Sequence, residues 1–243
     1  PEVQNVIFMV GMKFGAAQKQ AETWAINTYL PASICQKFSQ SKIVAFSTAN
    51  VYPLTPVKLG GSRESDATGP IGEYAQSALG RERIIAYFSE TLEIPCTLIR
   101  LSYATELRYG VLLDIAEKVF RSQPIDLTMG HVNTIWQGDA NEYVLRSFSL
   151  AQVPPAVLNV TGPELVSVRQ VAHEFAARFG KSPNFTGTEA DTALLCNAAH
   201  CHRLFGYPRV PLQQMIEWIA HWIKIGGTTL GKPTHYEVRT GEF

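Results

Sequence analysis

IVAFSTANVYP, residues 43–53, decides how the rest of the chain is read. A short β-type run ends in two hydroxyl residues, Ser47 and Thr48, and then breaks into a polar turn. Outward from it, similar runs alternate with longer helical patterns. Val6 to Val10 precedes Ala21 to Phe38, Ile43 to Ser47 precedes Gly72 to Thr91, and Thr97 to Leu101 precedes Val111 to Arg121. That alternation predicts parallel strands joined by crossover helices, a doubly wound α/β sheet. In such sheets ligands meet the carboxyl ends of the strands, so Thr48 stands where chemistry is expected.

Beyond about residue 120 the alternation loosens, with short strands near Asn133 to Trp136 and Ala156 to Val160 and then two marked helices. The reading is a sheet domain over 1–125 and a smaller C-terminal substrate lobe over 126–243, with elements free to cross between them. In the first late helix, Ser167 and Gln170 form a capping box, Val168, Val171, Ala172, Phe175 and Phe179 make one apolar stripe, and Gly180 stops it. The second, from about Pro211 to Ile225, carries Leu212, Met215, Ile216, Ile219 and Ile223 in the same way. Both stripes read as packing faces. The tail GGTTLGKPTHYEVRTGEF has glycines, a proline and no period, which predicts a loop or a partner-contacting extension.

Composition narrows the classes further. The chain is 243 residues, 46% hydrophobic and 17% charged, enough to bury a sizeable core. Lys plus Arg equals Asp plus Glu at 21 each, so no net field gathers nucleic acid or an anionic membrane. Apolar stretches fall short of the roughly 20 residues of a spanning helix, and Pro1 opens no signal segment, so no membrane association and a cytoplasmic location are expected. Cys35, Cys96, Cys196 and Cys201 lack disulfide-framework spacing and read as reduced, buried thiols. Cys196 and His200 within CNAAHCH have a metal-like spacing, but no second ligand pair accompanies them, and no metal is predicted.

Tyr74 follows Thr48 by 26 positions, inside GEYAQSALGRER. A hydroxyl at a strand end and a tyrosine on the next helix can meet at one substrate oxygen, the tyrosine exchanging the proton and the hydroxyl fixing the substrate.

In this order and spacing the chain resembles the extended short-chain dehydrogenase/reductase family, the NAD-dependent epimerases and dehydratases. The resemblance runs from Val6 to about Trp222 through VIFMVGMKFG, Asn27 in AINTYL, STANVYP, Tyr74 with Ser77, TLIRLSY, VLNVTGPELVSVRQVA and LFGYPRVPLQQMIEWIAHWI. It implies a Rossmann-like sheet whose N-terminal strands are missing, because no Gly-rich first turn occurs and VIFMV resembles a fourth strand. Roughly 60 to 80 preceding residues are expected, the size of a βαβαβ half. It also implies a cofactor, NAD or NADP with NAD favoured, a sugar-like small-molecule substrate and a homodimer through the helix at 72–93.

By the same resemblance Thr48 and Tyr74 are the catalytic pair. Lys13, Asn27, Tyr74, Ser102 and Tyr103 attend the cofactor, with Asn27 bracing the active-site backbone. Asn50, Arg81 and Arg108 are assigned to the substrate. Beyond the missing Gly-rich turn and the altered Asn-containing stretch at Ser102 and Tyr103, the chain departs from the family at three places. Ala78 stands where the family has a lysine that lowers the tyrosine pKa, leaving Arg81, seven residues beyond Tyr74, or Lys13, in a GMK stretch resembling the GLK of galactose epimerases, as substitutes. Ala49 and Asn50 replace the Asp-Glu pair of the dehydratases, which disfavours sugar dehydration. Val132 stands where nucleotide-sugar enzymes place a diphosphate-binding arginine, although Asp139 is kept, and Arg100, Arg108 and Arg121 are the possible compensations. The leading expectation is an NAD(P)-dependent oxidoreductase or epimerase acting on a hydroxyl or keto group of a sugar or sugar derivative. The alternatives are a cofactor sensor or scaffold that lost catalysis with the lysine, and a structural subunit.

Overall fold

A computed structural model describes residues 3–242. Four parallel strands, β1 (Asn5–Phe8), β2 (Lys42–Thr48), β3 (Cys96–Leu101) and β4 (Ala156–Val160), pair in that order. Six of the seven β2 residues face away from solvent, as a strand covered on both faces requires. The register places Thr48 beside Leu101 and Leu101 beside Val160, so three strand ends form one rim.

The helical stretch expected from Ala21 to Phe38 is one rod in three parts: α1 (Gln20–Trp24), a π-turn (Ala25–Tyr29) and α2 (Leu30–Lys37). Pro31, in the first turn of α2, has no N–H to give the carbonyl one turn earlier, and the helix widens just before it. Asn27 lies in that π-turn. The long helix α3 (Gly72–Leu92) follows β2, and its sheet-facing side is unusually polar, burying Ser77, Arg81, Glu82 and Ser89 beside Ala75, Ala78 and Ile85.

The second layer is helical. The elements α4 (Val111–Phe120), α6 (Val168–Phe179) and α8 (Leu212–Lys224) share one apolar core built from Leu112, Ile115, Phe175 and Ile219. Between them in sequence lie α5 (Gln137–Arg146) and the short α7 (Ala199–Phe205). Ser167 caps α6 by accepting from the Gln170 amide, and Gly180 ends it in the left-handed conformation. The strand expected near Asn133 to Trp136 resolves into two short pairs, His131–Val132 against Val166–Ser167 and Ile135–Trp136 beside Ala104–Thr105. The chain crosses between layers both ways: α4 joins the helical core, while β4 returns to the sheet.

The tail is neither a free loop nor detached. Tyr236 is fully buried in the helical core, and the segment from Gly231 to Glu242 runs along its own chain toward the start of α3. Among the described residues no helix is long and apolar enough to cross a membrane.

Candidate active site

At the rim formed by β2 and β3, a cavity of about 180 Å³ is lined by Lys13, Thr48, Asn50, Tyr74, Ser102 and Tyr103. Six residues singled out in the sequence, from four separate stretches, therefore share one wall. Tyr109 and Thr234 line it too, and neither carries a local signal that would have marked it. Tyr109 sits in a loop and Thr234 in the aperiodic tail.

The Thr48 hydroxyl stands within hydrogen-bonding reach of the Tyr74 hydroxyl and acts on its ionisation. Thr48 Oγ1 donates to Asn50 Oδ1 at 2.9 Å and accepts from the Asn50 amide at 3.2 Å, which fixes its rotamer at the strand end. Burial raises the Tyr74 pKa, whereas the Thr48 hydroxyl and the positive charge of Arg81 pull it back. The resting group is a neutral phenol, able to give a proton. Ser102 Oγ is buried, lines the same cavity and has no hydrogen-bond partner among the described residues. Tyr103 holds a left-handed backbone (φ 39°), pinned where its carbonyl accepts from Thr134 Oγ1 and the Ile135 amide. Such strain in a non-glycine residue is concentrated at working sites.

Asn27 and Arg81 stand behind the wall. Asn27 makes four bonds: its Oδ1 accepts from the Met12 amide and from Arg81, and its Nδ2 donates to the Met12 carbonyl and to Ser77 Oγ. Every polar valence of a buried amide is thereby used to tie the loop after β1 to α3. Arg81, assigned to the substrate by resemblance, does not line the cavity. It donates to the Asn27 carbonyl, to Asn27 Oδ1 at 2.6 Å and to the Phe46 carbonyl at 2.7 Å. Gly11 makes room for it, since a Cβ there would lie 2.7 Å from Nη2. The guanidinium thus supplies a fixed positive charge to Tyr74 from the helix face where Ala78 has none.

Lys13 reaches the cavity from the other side, where its Nζ donates to the Thr234 carbonyl at 3.0 Å. Burial lowers its pKa to about 8 against the opposing charge of Asp114. Arg108 lies outside this group: it is exposed, pairs with Glu106 and lines a separate hollow beside the tail.

Next to the cavity a second polar cluster is closed on itself. Arg100 pairs with Glu82 at 2.7 Å, Ser47 donates to Glu82, Arg100 donates to the Tyr52 hydroxyl, and Tyr52 donates to Asn159. Arg100 is thus spent inside the protein, and Arg121 pairs with Glu117 on the surface. Val132 is buried, and Asp139 accepts from the Val210 amide. Cys196 is buried whereas His200 is exposed, so the two do not share a site. A larger hollow of about 480 Å³ borders Asn133, Asn197 and His202, but those side chains are already bonded to backbone groups around it. Size alone does not make it the reactive site.

No family model and no curated protein matches the sequence. Solved structures do match in fold. UDP-glucuronic acid 4-epimerase from Bacillus cereus, in complex with UDP-glucuronic acid and NAD, superposes with a TM-score of 0.78 at 14% identity, over 92% of this chain and 76% of the epimerase. RMD from Pseudomonas aeruginosa, complexed with NADPH, gives 0.77 at 17% identity over 90% and 81%. The dTDP-glucose 4,6-dehydratase from Bacillus anthracis, in complex with NAD, gives 0.76 at 16% over 92% and 73%. The class is therefore a Rossmann-like α/β fold. In particular, it is the fold shared by these epimerase, RMD and dehydratase structures.

Proposed function

We propose that this protein is an NAD(P)-dependent oxidoreductase or epimerase acting on a hydroxyl or keto carbon of a sugar-like substrate, with NAD the favoured cofactor. The observation that carries this reading is that Thr48 and Tyr74 line one cavity together with the unpartnered Ser102 hydroxyl. A buried hydroxyl without a partner is costly, by about 1–3 kcal/mol, and a carboxamide such as that of a nicotinamide would satisfy it. The nicotinamide, when bound, accepts or gives the hydride.

The chain's own residues supply the rest. Tyr74, neutral at rest, donates its proton to the carbonyl oxygen in reduction and takes it back in oxidation. Thr48 holds that oxygen, and Asn50 holds Thr48. Arg81 is a positioning residue that acts through Tyr74, favouring the phenolate by charge. Asn27 fixes both the guanidinium and the backbone at Met12. Because Arg81 acts on Tyr74 and Lys13 lines the same cavity, two cations are available to the work of the absent lysine, which favours an enzyme over a sensor.

The test is calorimetric titration with NAD and NADP, followed by hydride transfer against sugars in the wild type and in Tyr74→Phe. Cofactor binding in both proteins, with turnover lost only in the variant, is expected. No binding of either cofactor would overturn the reading.

A further inference from the structure

We infer that the C-terminal segment from Lys232 to Glu242 is a permanent wall of the active site, restricting the substrate to a small hydroxy or keto compound that carries no nucleotide. The inference rests on the oxidoreductase reading above and names its substrate class.

Three observations carry it. The first is anchorage. Thr234 gives both its amide and its hydroxyl to Asp114 Oδ2, at 2.7 and 2.6 Å, while its carbonyl accepts from Lys13. Glu237 pairs with Lys118 at 3.2 Å, and Arg239 donates to the carbonyls of Thr128 and Thr192 and to the Thr192 hydroxyl. The Tyr236 ring is fully buried in the helical core. A segment held by a core aromatic and by bonds to four other stretches is structure, unlike a plug resting on a surface.

The second is closure. Gly241 meets Gly72 at the start of α3 so closely that a Cβ on either would run into the other's stretch of backbone, and both take positive φ. These two glycines let the segment reach the helix that carries Tyr74.

The third is volume. Asn50 borders two spaces, the reactive cavity of about 180 Å³ and, beside Val238, Arg239 and Gly241, a gap of only about 20 Å³. The smaller gap has room for about one water. The larger one falls below the roughly 300 Å³ at which ordinary small-molecule pockets begin. A sugar ring or a short polyhydroxy acid suits such a space; a diphosphate and a nucleoside joined to it would have to extend outside the hollow, past the anchored segment. The hydroxyls of Thr48, Tyr74 and Tyr109, with Lys13, suit a polar ligand of that size.

The intact protein provides the test, because truncation before Lys232 would also remove the buried Tyr236. Amide hydrogen exchange, without ligand and with NAD plus UDP-glucose, is expected to show Thr234 protected like the core strands in both states. Fast exchange, or protection lost on adding UDP-glucose, would make the segment a displaceable plug and overturn the inference. In parallel, free glucose and glucuronic acid are compared with their UDP conjugates for hydride transfer. At least tenfold higher kcat/KM for a free compound supports the wall, and preference for a conjugate overturns it. Protected amides with no hydride transfer from either class would fail the oxidoreductase reading while leaving the wall in place.

Discussion

Two polar clusters flank the carboxyl end of β2, and the difference between them separates packing from chemistry. Ser47 borders the cavity but gives its hydroxyl to Glu82 in one, and Thr48, its neighbour, belongs to the other. On Ser47's side, Glu82, Arg100, Tyr52 and Asn159 satisfy one another. On Thr48's side, hydroxyls, a lysine and an unpartnered serine face a cavity. Both clusters combine hydroxyl residues, a tyrosine, an asparagine and a cation. What differs is whether the chain itself supplies the last hydrogen-bond partner, and where it does not, a ligand has something to do.

Substitutions at matched positions sharpen this contrast. The largest effect is expected for Tyr74→Phe, which should lower kcat by roughly 10²–10⁴-fold, the usual worth of a general acid. Its cost to stability should stay near the 0.5–1.5 kcal/mol of one hydrogen bond, about what denaturant unfolding can resolve. Glu82→Ala should do the reverse. It leaves Arg100 buried without its carboxylate and is expected to cost about 3–5 kcal/mol on denaturant unfolding. A stable Glu82→Ala protein would break the comparison.

Arg81→Met comes next, with a stability loss of about 1–3 kcal/mol from three abandoned acceptors. Its diagnostic signature is kinetic. Loss of the positive charge leaves the phenol harder to ionise, so the pH profile of alcohol oxidation should move to higher pH, and Arg81→Lys should restore part of the shift. A profile unmoved in both variants would remove Arg81 from the proton chemistry.

The effect expected at Lys13 shows only in the pH dependence of stability. Its folded pKa, about 8, lies below the ordinary 10.5, so between those values the unfolded chain holds more protons than the folded one. Stability should therefore rise with pH across that window, and Lys13→Met should flatten the rise. Thermal unfolding at pH 8 and pH 10 checks it, and an identical slope in the variant would contradict the assignment.

How much of this was legible in the sequence follows from range. The strands announced themselves because each is a short apolar run bounded by breakers, and α6 because cap, stripe and stop are all local. Thr48 and Tyr74 were legible through their spacing and the family resemblance. The position of Arg81 was not. Seven residues place it on Tyr74's helix face, but whether it faces substrate or wall depends on Asn27, which lies 54 residues earlier in a π-turn opened by Pro31. The wall from Lys232 to Glu242 was illegible for a similar reason: it has no period of its own, and its conformation is dictated by Asp114, Lys118 and Thr192, all far away in the chain. Arg108, prominent in the sequence, found a surface partner in Glu106.

The central claim is that the Tyr74 phenol moves the proton while a bound nicotinamide takes or gives the hydride. A single-turnover experiment with NAD and a free sugar tests it most directly, following formation of the reduced nicotinamide in wild type and Tyr74→Phe at matched cofactor occupancy. The account predicts a burst in the wild type and its loss, by at least about a hundredfold in rate, in the variant. Equal rates in the two proteins would contradict it.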